Sequence, residues 1–158
     1  GQYGEGLKHL DAALALEPDN PDYLFNMAQM YLVHWPNIMT LRKWTAAETH
    51  AEAMRVSGKA ATLAPGDFEL VRDHALNFFA AERMNAQPDW KHAAKAWVAA
   101  RKAARNQEEV FYTWMNEGRV WLRAQNGREA ERCFLEAVAL RPQSGLAQGL
   151  LTDARSVK

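Results

Sequence analysis

The residues able to do chemistry are spread along the chain and do not gather into a motif. The histidines are His9, His34, His50, His74 and His92. No two of them stand in an H-x3-H or HExxH arrangement, and none pairs with a cysteine, so no metal site is expected. Glu48, His50 and Glu52 could supply acid–base groups, but at these spacings they point to different sides of a helix. The one cysteine, Cys133, lies in an apolar helical pattern and is expected to be buried and inert. There is no GxGxxG, no phosphate-binding loop and no GxSxG. No catalytic residue and no cofactor is therefore assigned, and the chain is not expected to be an enzyme. Lys91, Lys95, Arg101, Lys102 and Arg105 place positive charge on one stretch, interleaved with Trp90 and Trp97. That is a nucleic-acid-like pattern, but nineteen basic residues face nineteen acidic ones over the whole chain, leaving no electrostatic reserve for a polyanion.

The elements that carry these residues read as helices throughout. The apolar share of 48% in 158 residues is enough for a continuous core. No apolar run approaches the roughly 20 residues needed to cross a bilayer, so no membrane contact by this segment is expected. Leu7, Leu10, Ala13 and Leu14 make a first amphipathic helix that stops at Pro18. Asn20 and Pro21 open a second helix, through Val33. Pro36 is expected to keep Trp35 out of helical geometry and to break the chain there. A single long helix is expected from Thr40 to Leu63, with Thr40 as its cap and no capping box, because Lys43 stands where the Glu would be. Asp67 caps a fourth helix, Phe68 to about Met84. Asp89 caps a fifth, and a sixth runs from about Glu108 to Ala124. Asn126-Gly127 is a turn, a seventh helix ends before Pro142, and Ser144 caps an eighth. The fold class is all-α, with about eight helices.

The helix endings repeat. Ala13–Pro18, Ala60–Pro65 and Ala137–Pro142 share one pattern, and a repeated ending followed by a new helix start marks a helical array. Between Phe111 and Pro142 the match sharpens: Trp114, Gly118 and Trp121, then Ala130 and Phe134, then Pro142. This stretch resembles the tetratricopeptide repeat, W-x2-L-G-x2-Y then A-x3-F then P over about 34 residues, with Glu117 replacing Leu and Trp121 replacing Tyr. The resemblance implies a right-handed α-solenoid of antiparallel helix pairs. It divides the chain into the second half of a unit (1–18), a unit with an insertion (21–65), a unit with a lengthened hairpin loop (67–106), the best-matching unit (108–142) and a capping helix (144–156). Because the first half-unit is missing, the chain reads as a fragment of a longer protein. A targeting segment of that parent could lie elsewhere, and only a slight preference for the cytoplasm follows. The packing logic is specific. Gly118 and Ala130 allow close helix approach, while Trp114, Trp121 and Phe134 fill the space between hairpins. The inserted start of the third helix and the lengthened end of the fourth are expected to pack side by side, with Val33 to Met39 folded over them.

In the resembled family the first helices of the units line a groove that grips a peptide or a partner helix. The matching positions here are Phe25, Asn26 and Gln29, then Glu69, Arg72, Asp73 and Leu76, then Tyr112, Met115, Asn116, Arg119 and Arg123. Asparagine in such places can hold a peptide backbone, and arginine a carboxylate. Phe25 stands where the family's carboxylate clamp has Lys, so that clamp is not expected. Trp90 and Trp97 occupy core places of the repeat, which removes them from a nucleic-acid reading. Trp35, Ile38 and Met39 form a possible docking segment if exposed, or a cover for helix ends if buried. The function implied is a non-catalytic protein–protein interaction module with a protein or peptide partner. The alternative is a structural or regulatory segment that packs on an enzymatic or membrane-anchored part of a larger parent.

Overall fold

The computed structural model describes residues 2–157, which form nine α-helices, one 3-10 segment and no strand. The helices are α1 (Gln2–Leu16), α2 (Pro21–Val33), α3 (Trp35–Arg42), α4 (Ala46–Leu63), α5 (Phe68–Asn77), α6 (Trp90–Ala103), α7 (Gln107–Arg123), α8 (Gly127–Leu140) and α9 (Gly145–Ser156). The 3-10 segment, Phe78–Met84, follows α5 directly. Helices adjacent in sequence pack in pairs, as expected for an all-α helical-repeat fold. Gly1, where the expected first half-unit begins, lies outside the described residues. No helix among the described residues is long and apolar enough to cross a membrane.

The starts of the helices follow from local chemistry. Asn20 Oδ1 accepts the N–H of Asp22 at 3.0 Å and of Tyr23 at 3.2 Å, ahead of Pro21 at the first helical position. Asp67, Asp89, Asn106, Asn126 and Ser144 cap α5 to α9 in the same way. Each such cap satisfies helix N–H groups that have no acceptor within the helix and contributes about 1 kcal/mol.

The long third helix expected from Thr40 to Leu63 is two helices. Trp35 is helical after all. The break sits one residue earlier, at His34, and Pro36 falls in the first turn of α3, where its missing N–H costs nothing. Thr40 lies inside α3 and turns its hydroxyl back to Pro36 O at 3.3 Å. The chain leaves α3 through Lys43, which adopts a left-handed conformation (φ 57°), and α4 starts at Thr45. There the capping box is present: Glu48 N donates to Thr45 Oγ1 at 3.1 Å, and Thr45 N donates to Glu48 Oε2 at 2.7 Å. The Thr45-x-x-Glu48 spacing was the available signal, hidden by the apolar face that continues through Trp44. The fourth helix also differs from expectation, since only Phe68–Asn77 is α-helical. His50 Nε2 lies 3.1 Å from Asn77 O and takes the carbonyl that an α-helix would offer to Ala81. From Phe78 onward the segment closes its hydrogen bonds over three residues instead.

The helices divide into two compact units, parted between Pro88 and Asp89. In the first unit α2 packs on α4, and α4 on α5 and on the 3-10 segment. Leu24, Met27, Ile38, Val56 and Met84 share its core, with Trp35 and Trp44 packed against it. The start of α4 and the segment after α5 thus meet, and α3, which replaces the expected helix extension, packs on α4. In the second unit α7 packs on α8 and on α6, and α9 on α8. Met115, Phe134, Ala137 and Leu151 belong to its core, with Trp114 and Trp121 half-buried against it.

Gly118 decides the α7–α8 approach. A Cβ there would fall 2.5 Å from Phe134 Cε1 and 2.6 Å from its Cζ, and Phe134 is fully buried. Alanine would gain about 1 kcal/mol of helix propensity, but the ring cannot retreat without disturbing a close-packed core. Gly118→Ala is expected to lower stability by about 2 kcal/mol net in urea denaturation. Phe134→Leu should cost much less in the Gly118→Ala background than alone, and strictly additive effects would refute the contact.

Candidate functional site

The first unit contains a cleft of about 340 Å³ beside α2 and α5. Gln29 and Val33 reach it from α2, Asp73, Leu76 and Asn77 from α5, and Arg83 from the 3-10 segment. Four-residue spacing puts Gln29 and Val33 on one face of α2, and Asp73 and Asn77 on one face of α5. The packing of the helices brings those faces together. Gln29 Nε2 donates to Asp73 Oδ1 at 2.6 Å, and Asn77 Nδ2 donates to Asp73 Oδ2 at 3.2 Å. Burial raises the pKa of Asp73 above the ordinary carboxylate value, against the lowering effect of the Asn77 and Gln29 hydrogen bonds and of the Arg72 charge. With both amide nitrogens turned to Asp73, the amide oxygens of Gln29 and Asn77 remain as acceptors for peptide N–H groups. Arg83 Nη2 donates to Leu32 O at 3.2 Å and sets a cation at the edge. Val33 is 61% exposed at the rim.

Among the positions expected to line a groove, Gln29 and Asp73 are therefore in direct contact, with Leu76 beside them. Asn26 is exposed on α2, and Phe25 is half-buried. Arg72 pairs with Glu69 one turn away, and its guanidinium lies 5.8 Å from the Phe68 ring centre. Asn77, Val33 and Arg83 were not foreseen. The spacing of Asn77 from Asp73 was a usable signal, whereas Arg83 depended on the change of helix type after Asn77.

In the second unit the expected positions are mostly engaged internally. Asn116 is 4% exposed. Its Nδ2 donates to Tyr112 O at 2.9 Å, and its Oδ1 accepts from Arg119 Nη1 at 3.3 Å. Met115 is buried, and Tyr112 meets Trp97 edge-on with centroids 5.7 Å apart. Arg123 is exposed at the end of α7. In the possible docking segment Ile38 is 0% exposed, and Trp35 and Met39 are half-buried. The apolar side of α3 is thus turned into the core and covers helix ends.

Glu117 occupies the place where the repeat pattern has Leu, and it is 2% exposed. Arg132 Nη2 donates to its Oε1 at 3.0 Å, and Arg101 Nη2 lies 2.7 Å from its Oε2. Arg101 Cζ stacks 3.3 Å from the Trp114 ring centre. The ring is therefore roofed by a cation and not open to a ligand. Burial, followed by the Glu117 charge, pushes the Cys133 thiol up, so it stays protonated and unreactive as its pattern implied.

Two pairs of catalytic residue types meet among the described residues: His92 with Asp89, both exposed at the start of α6, and Ser57 with His74. Ser57 Oγ and His74 Nδ1 lie 2.9 Å apart. Ser57 is 2% exposed, so its hydroxyl has no path to a substrate. The pair joins α4 to α5 and is part of the packing.

Compared with known proteins, the chain matches no family model, and no curated protein matches it.

Proposed function

We propose that this chain is a non-catalytic protein–protein interaction module of the tetratricopeptide type, taking an extended peptide or partner segment in the cleft beside α2 and α5. The observation that carries this reading is the Gln29–Asp73–Asn77 cluster. It gathers oriented amide oxygens and a part-buried carboxylate next to the apolar side chains of Leu76 and Val33. Such a mixture suits a peptide, whose backbone N–H groups need acceptors and whose side chains need an apolar bed. The Trp114–Gly118–Trp121 and Ala130–Phe134 spacing supports this reading, and the close α7–α8 approach at Gly118 is consistent with it.

The test is a displayed peptide library panned on the full chain, with affinities of the selected peptides measured by fluorescence anisotropy. Val33→Glu combined with Leu76→Glu should weaken the selected peptides by at least about tenfold while the helical circular-dichroism signal stays at the wild-type level. A library that yields no binder, or peptides bound equally well by this variant, would overturn the assignment.

A further inference from the structure

A second cavity, of about 430 Å³, lies in the second unit among α6, α7 and the start of α8. Ala94, Val98 and Trp121 give it an apolar bed, and Lys91, Lys95 and Arg132 stand around it. Glu117 is the single carboxylate that lines it, and that charge is taken up by Arg101 and Arg132. Lys91 and Lys95 are exposed, one turn apart on α6, and make no ion pair among the described residues. Stability does not account for their placement. Like charges one turn apart repel, and a lysine in the first turn opposes the helix dipole. Between Trp90 and Ala103 α6 contains Lys91, Lys95, Arg101 and Lys102 and no acidic residue. Arg132 is paired with Glu117 and Glu129, so Lys91 and Lys95 supply the uncompensated positive charge beside the apolar floor, and its complement is an anion joined to an apolar group.

We infer that this cavity is a second binding site, for an acidic peptide segment in which Asp or Glu flanks a large apolar residue. The carboxylates would meet Lys91 and Lys95, and the apolar side chain would lie against Trp121 and Val98. Peptide is favoured over nucleic acid because the cations surround one compact cavity, and the chain as a whole carries no net positive charge to follow a phosphate backbone.

The probes are immobilised hexapeptides carrying acidic residues around one Leu, Phe or Trp, their Lys-for-acid counterparts, and a single-stranded RNA of similar length. The full chain should bind the acidic set and not the reversed set. That binding should weaken about fivefold between about 50 and about 300 mM salt. Lys91→Glu with Lys95→Glu should reduce it at least about tenfold while thermal stability stays about equal, since Glu suits the first turn at position 91 and the like-charge spacing is unchanged. Peptides selected at the α2–α5 cleft should be unaffected by this variant, so the two sites can fail independently. Failure of every acidic peptide to bind, retention of binding by the double variant, or tighter binding of the RNA would each overturn the inference.

Discussion

Glu117→Ala is expected to destabilise the chain by about 3–5 kcal/mol, the usual cost of breaking a buried ion pair by removing one partner. The loss comes mainly through Arg101. Its side chain is 17% exposed and stacked on Trp114, and its Nη1 already lacks a hydrogen-bond acceptor. Without Glu117 a buried guanidinium is left with no counter-charge. Arg132 is hurt less, because it is half-exposed and keeps Glu129 at 3.0 Å. The companion variant Glu117→Leu with Arg101→Met removes both charges and restores the residue type the repeat pattern has at that place. It should recover most of the loss, because an apolar pair of similar volume carries no desolvation penalty. Urea denaturation of the full chain reads both. A Glu117→Ala variant within about 1 kcal/mol of wild type would show that the cluster contributes little.

Acid should destabilise the chain before its carboxylates titrate. His74 is half-buried against Ser57, Gly58 and Phe78, and desolvation lowers its pKa to about 4. His50 is lowered as well, chiefly by burial, although its hydrogen bond to Asn77 O acts the other way. The folded state therefore holds both rings neutral more strongly than the unfolded chain does. Their contribution is fully present above the unfolded pKa of about 6.5 and is lost as pH falls from there, for His74 towards about 4. For His74 the shift corresponds to about 3 kcal/mol at the acid end. Stability curves at pH 7, 5.5 and 4 should show this fall, and His74→Gln should flatten it while losing some stability at pH 7. An unchanged pH profile in that variant would place the acid sensitivity elsewhere.

The candidate sites were legible to different degrees, for identifiable reasons. Gln29 and Asp73 could be picked out because helix periodicity assigns faces, and the repeat pattern says which face is open. Their mutual hydrogen bond could not be read, because the two residues are 44 positions apart. Asn116 shows the opposite outcome. The repeat resemblance pointed to it as a groove residue, but its amide is used up by Tyr112 O and Arg119. The basic stretch on α6 was visible as composition. That Lys91 and Lys95 border a cavity with Arg132, while Arg101 turns to Glu117, depended on how α7 and α8 pack beside it.

The sequence by itself determined where most helices begin and end, that the fold is all-α, and that α7 and α8 come close at Gly118; that Phe134 is the ring packed there came from the structure. Caps, proline and helix periodicity act over a few residues, and a glycine on a packed helix face is a local packing demand. Only the tertiary structure decided the break at Lys43, the change of helix type at Phe78, the burial of Ile38 and the engagement of Glu117 by two arginines. Each of these turns on which distant group takes a carbonyl, a charge or a cavity. His50 claims Asn77 O, α3 fills the first core, and Arg101 and Arg132 neutralise Glu117. The same distinction separates the residues that could do chemistry from those that are placed to do it. Histidine, serine and cysteine are all present, but packing closes Ser57 and Cys133 off and leaves oriented amides and unpaired lysines at the surface clefts.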